Sequence, residues 1–406
     1  MMESPDNVRA QFPQLQQVVH GQRPVYLDSA ATTLKPWAVI KRLEKFYSFE
    51  CANVHRGAHW WSDEATGSFE QARKIVAQFL GARDEAEIVF TRGTTEGVNL
   101  VAQAFGGDWL KPGDEILLTQ LEHHSNIVPW QILAEKTGAT IRVVRINENG
   151  EVDLNHYKSL LNERTKIVSF THISNGLGSI LPAQQMIQEA REAGAVTLLD
   201  AAQSVSFLPL NVQDLNCDFL VFSGHKLFGP YGIGVLYGRL EMLNSMKPYQ
   251  SGGSMISKVT FEKSDYLPSP QRFEAGTPHI AGAIGLAAAI QFFSSLSLQQ
   301  VQQHETRLLN QATEGLKELG GVRIFADHAN KAGIVSFLLD GAHPSDVGAV
   351  LDQQGVAVRA GHHCNQPLMD FYVIPGTVRA SFSIYNDEQD VLQFLEAVKK
   401  AKELLL

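Results

Sequence analysis

The 406-residue chain predicts an α/β fold: a mostly parallel sheet with helices on both faces, followed by a smaller α/β unit at the C-terminal end. Three observations predict it. Between about residues 70 and 240, short apolar runs alternate with amphipathic stretches, the signature of successive strand–helix units. After Gly238 the composition turns rich in glycine, serine and proline, from Gln250 to Met255 and again from Leu267 to Gln271. A second set of strand-like runs and helices then begins, which marks a new unit.

The elements follow in order. Residues 1–30 are expected to form an arm packed on the small unit, 31–295 the large unit and 296–406 the small one. Strands are expected at Glu87–Thr91, Glu115–Thr119, Ile141–Arg145, Lys166–Phe170, Val196–Asp200 and Phe219–Phe222. Helices are expected from Asn126 to Lys136 and from Ala183 to Ala193, the second started by Pro182. The apolar stretch Ile280 to Phe293 is too short for the ~20 residues of a membrane span and reads as a buried helix. In the small unit, strands are expected at Gly333–Leu339, Val356–Arg359 and Thr377–Phe382, with helices around Val301–Leu319, Ser345–Gln353 and Glu388–Lys402.

A net charge of −9, scattered without basic runs, argues against a nucleic-acid or membrane partner and for small-molecule chemistry. Three cysteines, Cys51, Cys217 and Cys364, are too few for a disulfide framework and suit a reducing compartment. The N-terminus shows no basic segment followed by an apolar core, so the expected location is cytoplasmic.

Polar residues cluster where the predicted strands end, which is where open parallel sheets bind ligands. Lys226, flanked by Ser223 and His225, enters a glycine-rich turn after an apolar strand. An amine there is costly to desolvate, and its neutral form condenses with carbonyls, so it is a candidate Schiff-base lysine. Asp200 ends another apolar strand and needs a cationic partner, although an aspartate capping a turn is an equal reading of that residue alone. Thr94 and Thr95 open a helix and make an anion site. One imidazole of Glu122-His123-His124-Ser125-Asn126 is placed to stack on a flat cofactor. Together these corners describe pyridoxal 5′-phosphate, which needs its phosphate held, its ring nitrogen protonated and its aldehyde bound. In the small unit, Cys364 follows His362 and His363 near Arg359, an electropositive setting for a reactive thiol, whereas Cys217 lies in an apolar strand. Arg379 offers a planar fork for a substrate carboxylate. A zinc site at His362-His363-Cys364 lacks a second ligand pair, so no metal is expected.

The segments RGTTEGVNLVAQ, LEHHSNIVPWQ, LDAAQS, DFLVFSGHKLFGPYGIGVLYG, RFEAGTP, and RAGHHCNQPLM followed by RASFSIYN resemble, in collinear order, those of the SUF-type cysteine desulfurases. That family is a branch of the fold-type I, class V aminotransferase-like pyridoxal-phosphate enzymes. The resemblance implies a seven-stranded large-domain sheet, with Lys226 as the cofactor lysine, His123 stacking on the ring, Asp200 at the ring nitrogen and Gln203 at the ring oxygen. It implies Thr95, Ser223 and His225, alongside Thr94, as phosphate ligands. It also implies Thr277 as a phosphate contact made to a neighbouring subunit, hence a homodimer. Asn175 and Arg379, with Arg359 beside the cysteine, would hold the substrate. Lys226 would then remove the Cα proton of L-cysteine, and Cys364 would take its sulfur as a persulfide, releasing alanine, for a SUF-type acceptor in iron–sulfur cluster assembly. Selenocysteine lyase or cysteine sulfinate desulfinase activity is the alternative on this scaffold. The chain departs from the family pattern at Ala201, Gly176, Tyr231, His279 and Asn365.

Overall fold

The computed structural model describes residues 5–328 and 330–406. Its centre is a sheet of seven strands: β1 (Ile88–Thr91), β2 (Glu115–Thr119), β3 (Thr140–Val144), β4 (Thr165–Thr171), β5 (Val196–Asp200), β6 (Phe219–Ser223) and β7 (Gly234–Gly238). They lie in the order β1-β7-β6-β5-β4-β2-β3. β7 runs against both its neighbours and the other pairs are parallel. β5, β6 and β7 are buried almost throughout and mostly apolar, the pattern of a sheet covered on both faces, whereas edge strand β3 is largely exposed.

β7 was not expected as a separate strand. Its sequence continues the apolar run of β6 after a glycine-rich turn, and it pairs back as a hairpin partner. Gly234 permits this close approach, because a Cβ there would lie 2.5 Å from Gly93 Cα and 2.6 Å from the Phe222 carbonyl oxygen. The helix Ile280–Ser294 is buried along most of its length and packs against Trp60–Leu80 and Trp37–Lys45. No single helix among the described residues is long and apolar enough to cross a membrane.

The small unit has its own sheet of β8 (Val322–Phe325), β9 (Ile334–Leu339), β10 (Arg359–Gly361) and β11 (Thr377–Ser381), in the antiparallel order β8-β9-β11-β10. The expected strand Val356–Arg359 is split. Val356–Ala357 pairs in parallel with Val25–Tyr26 of the arm, and the chain then joins β11 at Arg359. The arm thereby adds Val25 and Leu27 to the small core, while its earlier Phe12 packs on Phe228, Phe292 and Tyr385 in the large one. It laces across both units instead of resting on the small one alone. The Gly/Ser/Pro-rich region also carries a short hairpin, Ile256–Val259 with Ser264–Tyr266, whose mostly exposed residues left no apolar alternation to read.

A buried ion pair fixes the edge of the large sheet. Arg73, 2% exposed, donates two parallel hydrogen bonds to Glu274 at 2.7 and 2.9 Å and a third to the Ile88 carbonyl. Glu274 in turn accepts the Phe90 N–H at 2.7 Å. Arg73 Nε also donates to Glu70 at 3.0 Å, so Glu274→Ala leaves the guanidinium partly paired and is expected to cost about 3 kcal/mol, the low end for breaking a buried pair, read as a lower denaturation midpoint in urea.

Candidate active site

A cavity of about 220 Å³ opens at the carboxyl ends of the large-sheet strands, beneath the loop that carries Cys364. The anion corner is built first. After β1 the chain turns at Gly93 into the helix Thr94–Val101, which opens without a side-chain cap. Ser223, at the end of β6, accepts the Thr94 N–H at 2.9 Å and shares a second 2.9 Å hydrogen bond with the Thr94 hydroxyl. Thr95 and His225 complete this end of the cavity wall. The imidazole of His225 stacks on Tyr231, with centroids 5.5 Å apart.

The next corner presents His123. Its Nδ1 accepts the Ser125 N–H at 3.1 Å, which leaves the proton of the neutral ring on Nε2. Burial, with the positive charge of Lys226 second, pushes its pKa down to about 3, so it remains neutral. The supports of this loop carry no signal that sequence reasoning used. Glu122 is buried, accepts from Thr119 Oγ1, Asn126 Nδ2 and Thr171 N, and is raised to about 8 chiefly by burial. Asn126 also takes hydrogen bonds from Trp130 and Ser169, so the loop is anchored to two elements of the core.

Asp200 lies on the cavity floor, 3% exposed. One carboxylate oxygen accepts the Ala202 N–H at 2.9 Å, and the other has no protein donor among the described residues. Burial raises its pKa, opposed by that hydrogen bond and by Lys226. Lys226 forms no hydrogen bond or ion pair among the described residues. Burial lowers its amine to about 8, with Asp200 opposing and Arg379 assisting. Gln203 donates one carboxamide N–H to the Ala30 carbonyl at 2.7 Å and keeps the other.

The far wall comes from the small unit. Arg379, 2% exposed on β11, donates to the Asn175 carbonyl at 2.9 Å, and its Nε is buried without a partner among the described residues. Burial pushes this guanidinium down to about 10, opposed by Asp28. The Asn175 side chain donates to the His363 carbonyl at 2.7 Å, tying the cysteine loop to the large unit. Cys364 is exposed at the mouth, as is Arg359. Asp28 holds both arginines, Arg359 through three contacts of 2.8–3.2 Å and Arg379 at 3.3 Å. Sequence reasoning missed Asp28, because it sits in the arm 331 residues from Arg359 and no local pattern links them.

Twelve of the expected site residues therefore line one cavity. They are Thr94, Thr95, His123, Asn175, Asp200 and Gln203, with Ser223, His225, Lys226, Arg359, Cys364 and Arg379. Thr277 does not. It is exposed in a separate groove beside Thr91, Arg92 and His279. Among the described residues no group of three or more His, Cys, Asp or Glu side chains is arranged to hold a metal ion.

Residues 25–394 match the model of the aminotransferase class-V family. A cysteine desulfurase of Synechococcus elongatus is 49% identical over 97% of this chain, which spans 63% of that relative's length. A probable cysteine desulfurase of Vibrio cholerae is 46% identical over the full length of both chains. Two solved structures superpose over the whole chain. The Escherichia coli cysteine desulfurase CsdA, in an S-sulfonic acid form, matches with a TM-score of 0.93 at 40% identity over 100% of its chain. The apo cysteine desulfurase of Thermococcus onnurineus gives 0.94 at 41% over 99% of its chain. The strand order, the lysine corner and these relationships agree: the chain belongs to the aminotransferase class-V family, among its cysteine desulfurases.

Proposed function

We propose that the chain is a cysteine desulfurase that releases alanine from L-cysteine and keeps the sulfur on Cys364 as a persulfide. The observation that carries this reading is that Lys226, from the large unit, and Cys364, from the small one, line the same cavity. A lysine alone suits a transaminase, a lyase or a decarboxylase; a thiol facing the same substrate selects sulfur transfer.

The donor set fits pyridoxal 5′-phosphate. Among the described residues one Asp200 carboxylate oxygen has no protein donor and the Lys226 amine, of lowered basicity, has no hydrogen-bond partner, while Thr94, Thr95, Ser223 and His225 form an anion corner. When bound, the cofactor supplies an aldehyde for the substrate amine and a protonated ring that accepts electrons from Cα. Asp200 holds the charge of the ring nitrogen, and the neutral His123 offers a flat face beside the ring. Arg379, whose guanidinium is on the cavity wall, clamps the substrate carboxylate, a charge-assisted contact that fixes the Cα–H bond for the Lys226 amine. Lys226 removes that proton. The Cys364 thiolate then attacks the substrate sulfur: the S–S bond forms, the C–S bond breaks, the former sulfur-bearing carbon takes up a proton to become a methyl group, and Lys226 returns a proton to Cα to complete alanine.

A homodimer belongs to this proposal, because Thr277 is remote from its own cavity and would reach the phosphate of a second copy. We also assign the persulfide to a SUF-type acceptor protein in cytoplasmic iron–sulfur cluster assembly. Purified holoenzyme given L-cysteine and a reductant is expected to form alanine and sulfide in equal amounts. Pyruvate and ammonia in place of alanine would identify a C–S lyase and reject the desulfurase reading.

A further inference from the structure

Asn365, the residue after the cysteine, is polar yet 0% exposed. Its Nδ2 donates to the backbone carbonyls of Leu121 at 3.3 Å and Glu122 at 3.0 Å, immediately before His123. Its Oδ1 is buried with no partner among the described residues, an uncommon state that indicates a competing constraint on the carboxamide. That constraint lies next to the thiol. His363 and Cys364 are both left-handed, with φ of 53° and 58°, a conformation costly for residues with a Cβ that persists only where surroundings enforce it.

The space for the carboxamide comes from Gly176. Its backbone is not left-handed, so glycine is not required there for conformation. A Cβ at 176 would instead stand 3.3 Å from Asn365 Oδ1 and 3.1 Å from Leu368 Cδ2, tight enough that one of them must give way. The two positions are fitted to one another.

We infer that Asn365 is a positioning residue for Cys364: its carboxamide clasps the cysteine loop to the backbone that carries His123, and Gly176 supplies the room for the clasp. Two further contacts share the task, the His124 backbone N–H to the Cys364 carbonyl at 2.8 Å and the Gln366 backbone N–H to the His124 side-chain Nε2 at 3.0 Å. The inference rests on the proposed function, since it gives the clasp the task of aiming the thiolate at the substrate sulfur. Misplacing a reacting atom by about 1 Å costs up to about a hundredfold in rate.

The test uses Asn365→Ala, which deletes the donor, and Asn365→Asp, which keeps the size and turns a carboxylate oxygen against the two carbonyls. Both are expected to lower kcat about tenfold while KM for L-cysteine stays unchanged, because Arg379 still holds the carboxylate. In both, alkylation of Cys364 by iodoacetamide is expected to rise several-fold relative to Cys51, which is also exposed. The buried Cys217, unlabelled throughout, certifies folding. Gly176→Ala, which presses on the same carboxamide from the other side, should shift the ratio in the same direction and add nothing in the Asn365→Ala background. It carries the test should Asn365→Ala expose Cys217. An Asn365→Asp enzyme with unchanged kcat and an unchanged Cys364 to Cys51 ratio overturns the clasp, as do additive effects of Gly176→Ala and Asn365→Ala. The alkylation ratio is read without turnover. A failure of the unsubstituted enzyme to form alanine therefore refutes the function while the ratio still decides the clasp.

Discussion

Cys364→Ala is expected to lower sulfide release from L-cysteine by on the order of 10³-fold, with cofactor binding and the absorbance of the loaded lysine intact. The expectation follows from placement. Cys364 is at the mouth of the cavity, while the other two cysteines are absent from its wall. Neither can substitute. Cys217 is fully buried with its thiol raised by burial, and Cys51 lies in a different part of the large unit. The same variant separates the alternative substrates. Cysteine sulfinate and selenocysteine carry better leaving groups and depend less on an attacking thiol, so Cys364→Ala should retain much more activity on them than on L-cysteine. Equal losses on all three would mean that Cys364 supports the fold of the site instead of accepting sulfur.

Lys226→Ala is expected to abolish the visible absorbance of the holoenzyme and to lower alanine formation by about 10²–10⁴-fold, the usual contribution of a positioned base. Burial sets the pH dependence of this lysine. With its pKa lowered to about 8, the amine is mostly protonated below that pH and mostly neutral above it. Only the neutral form attacks an aldehyde. Uptake of pyridoxal 5′-phosphate by the apoprotein should therefore accelerate as pH rises through about 8, well below the range of an exposed lysine. A midpoint near that of an exposed lysine would show that the amine is solvated and the site open.

The sequence carried the large sheet well, because its strands are buried apolar runs of ordinary length separated by helix signals. β2 and β5 coincide with the expected bounds. Every cavity residue named from a strand end is on the cavity wall, since parallel strands deliver their carboxyl ends to one edge. What it did not carry depends on contacts between distant segments. β7 turns back on β6 through a glycine-rich turn that, read alone, marked only the lysine corner. Asp28 meets Arg359 and Arg379 only after the arm crosses to the small unit. Gly176 and Asn365 each stood out as unusual residues, and only the fold shows that they face one another. Thr277 remains apart because one chain does not bring it to its own cavity.

In the proposed reaction Cys364 takes sulfur from the substrate bound at Lys226. The direct measurement is a peptide mass spectrum of the holoenzyme after brief incubation with L-cysteine without reductant, followed by alkylation. One added sulfur atom is expected on the Cys364 peptide, none on the Cys51 and Cys217 peptides, and none anywhere in Lys226→Ala. Alanine formed with no added sulfur on Cys364, or with sulfur on Cys51 instead, would contradict the proposed reaction.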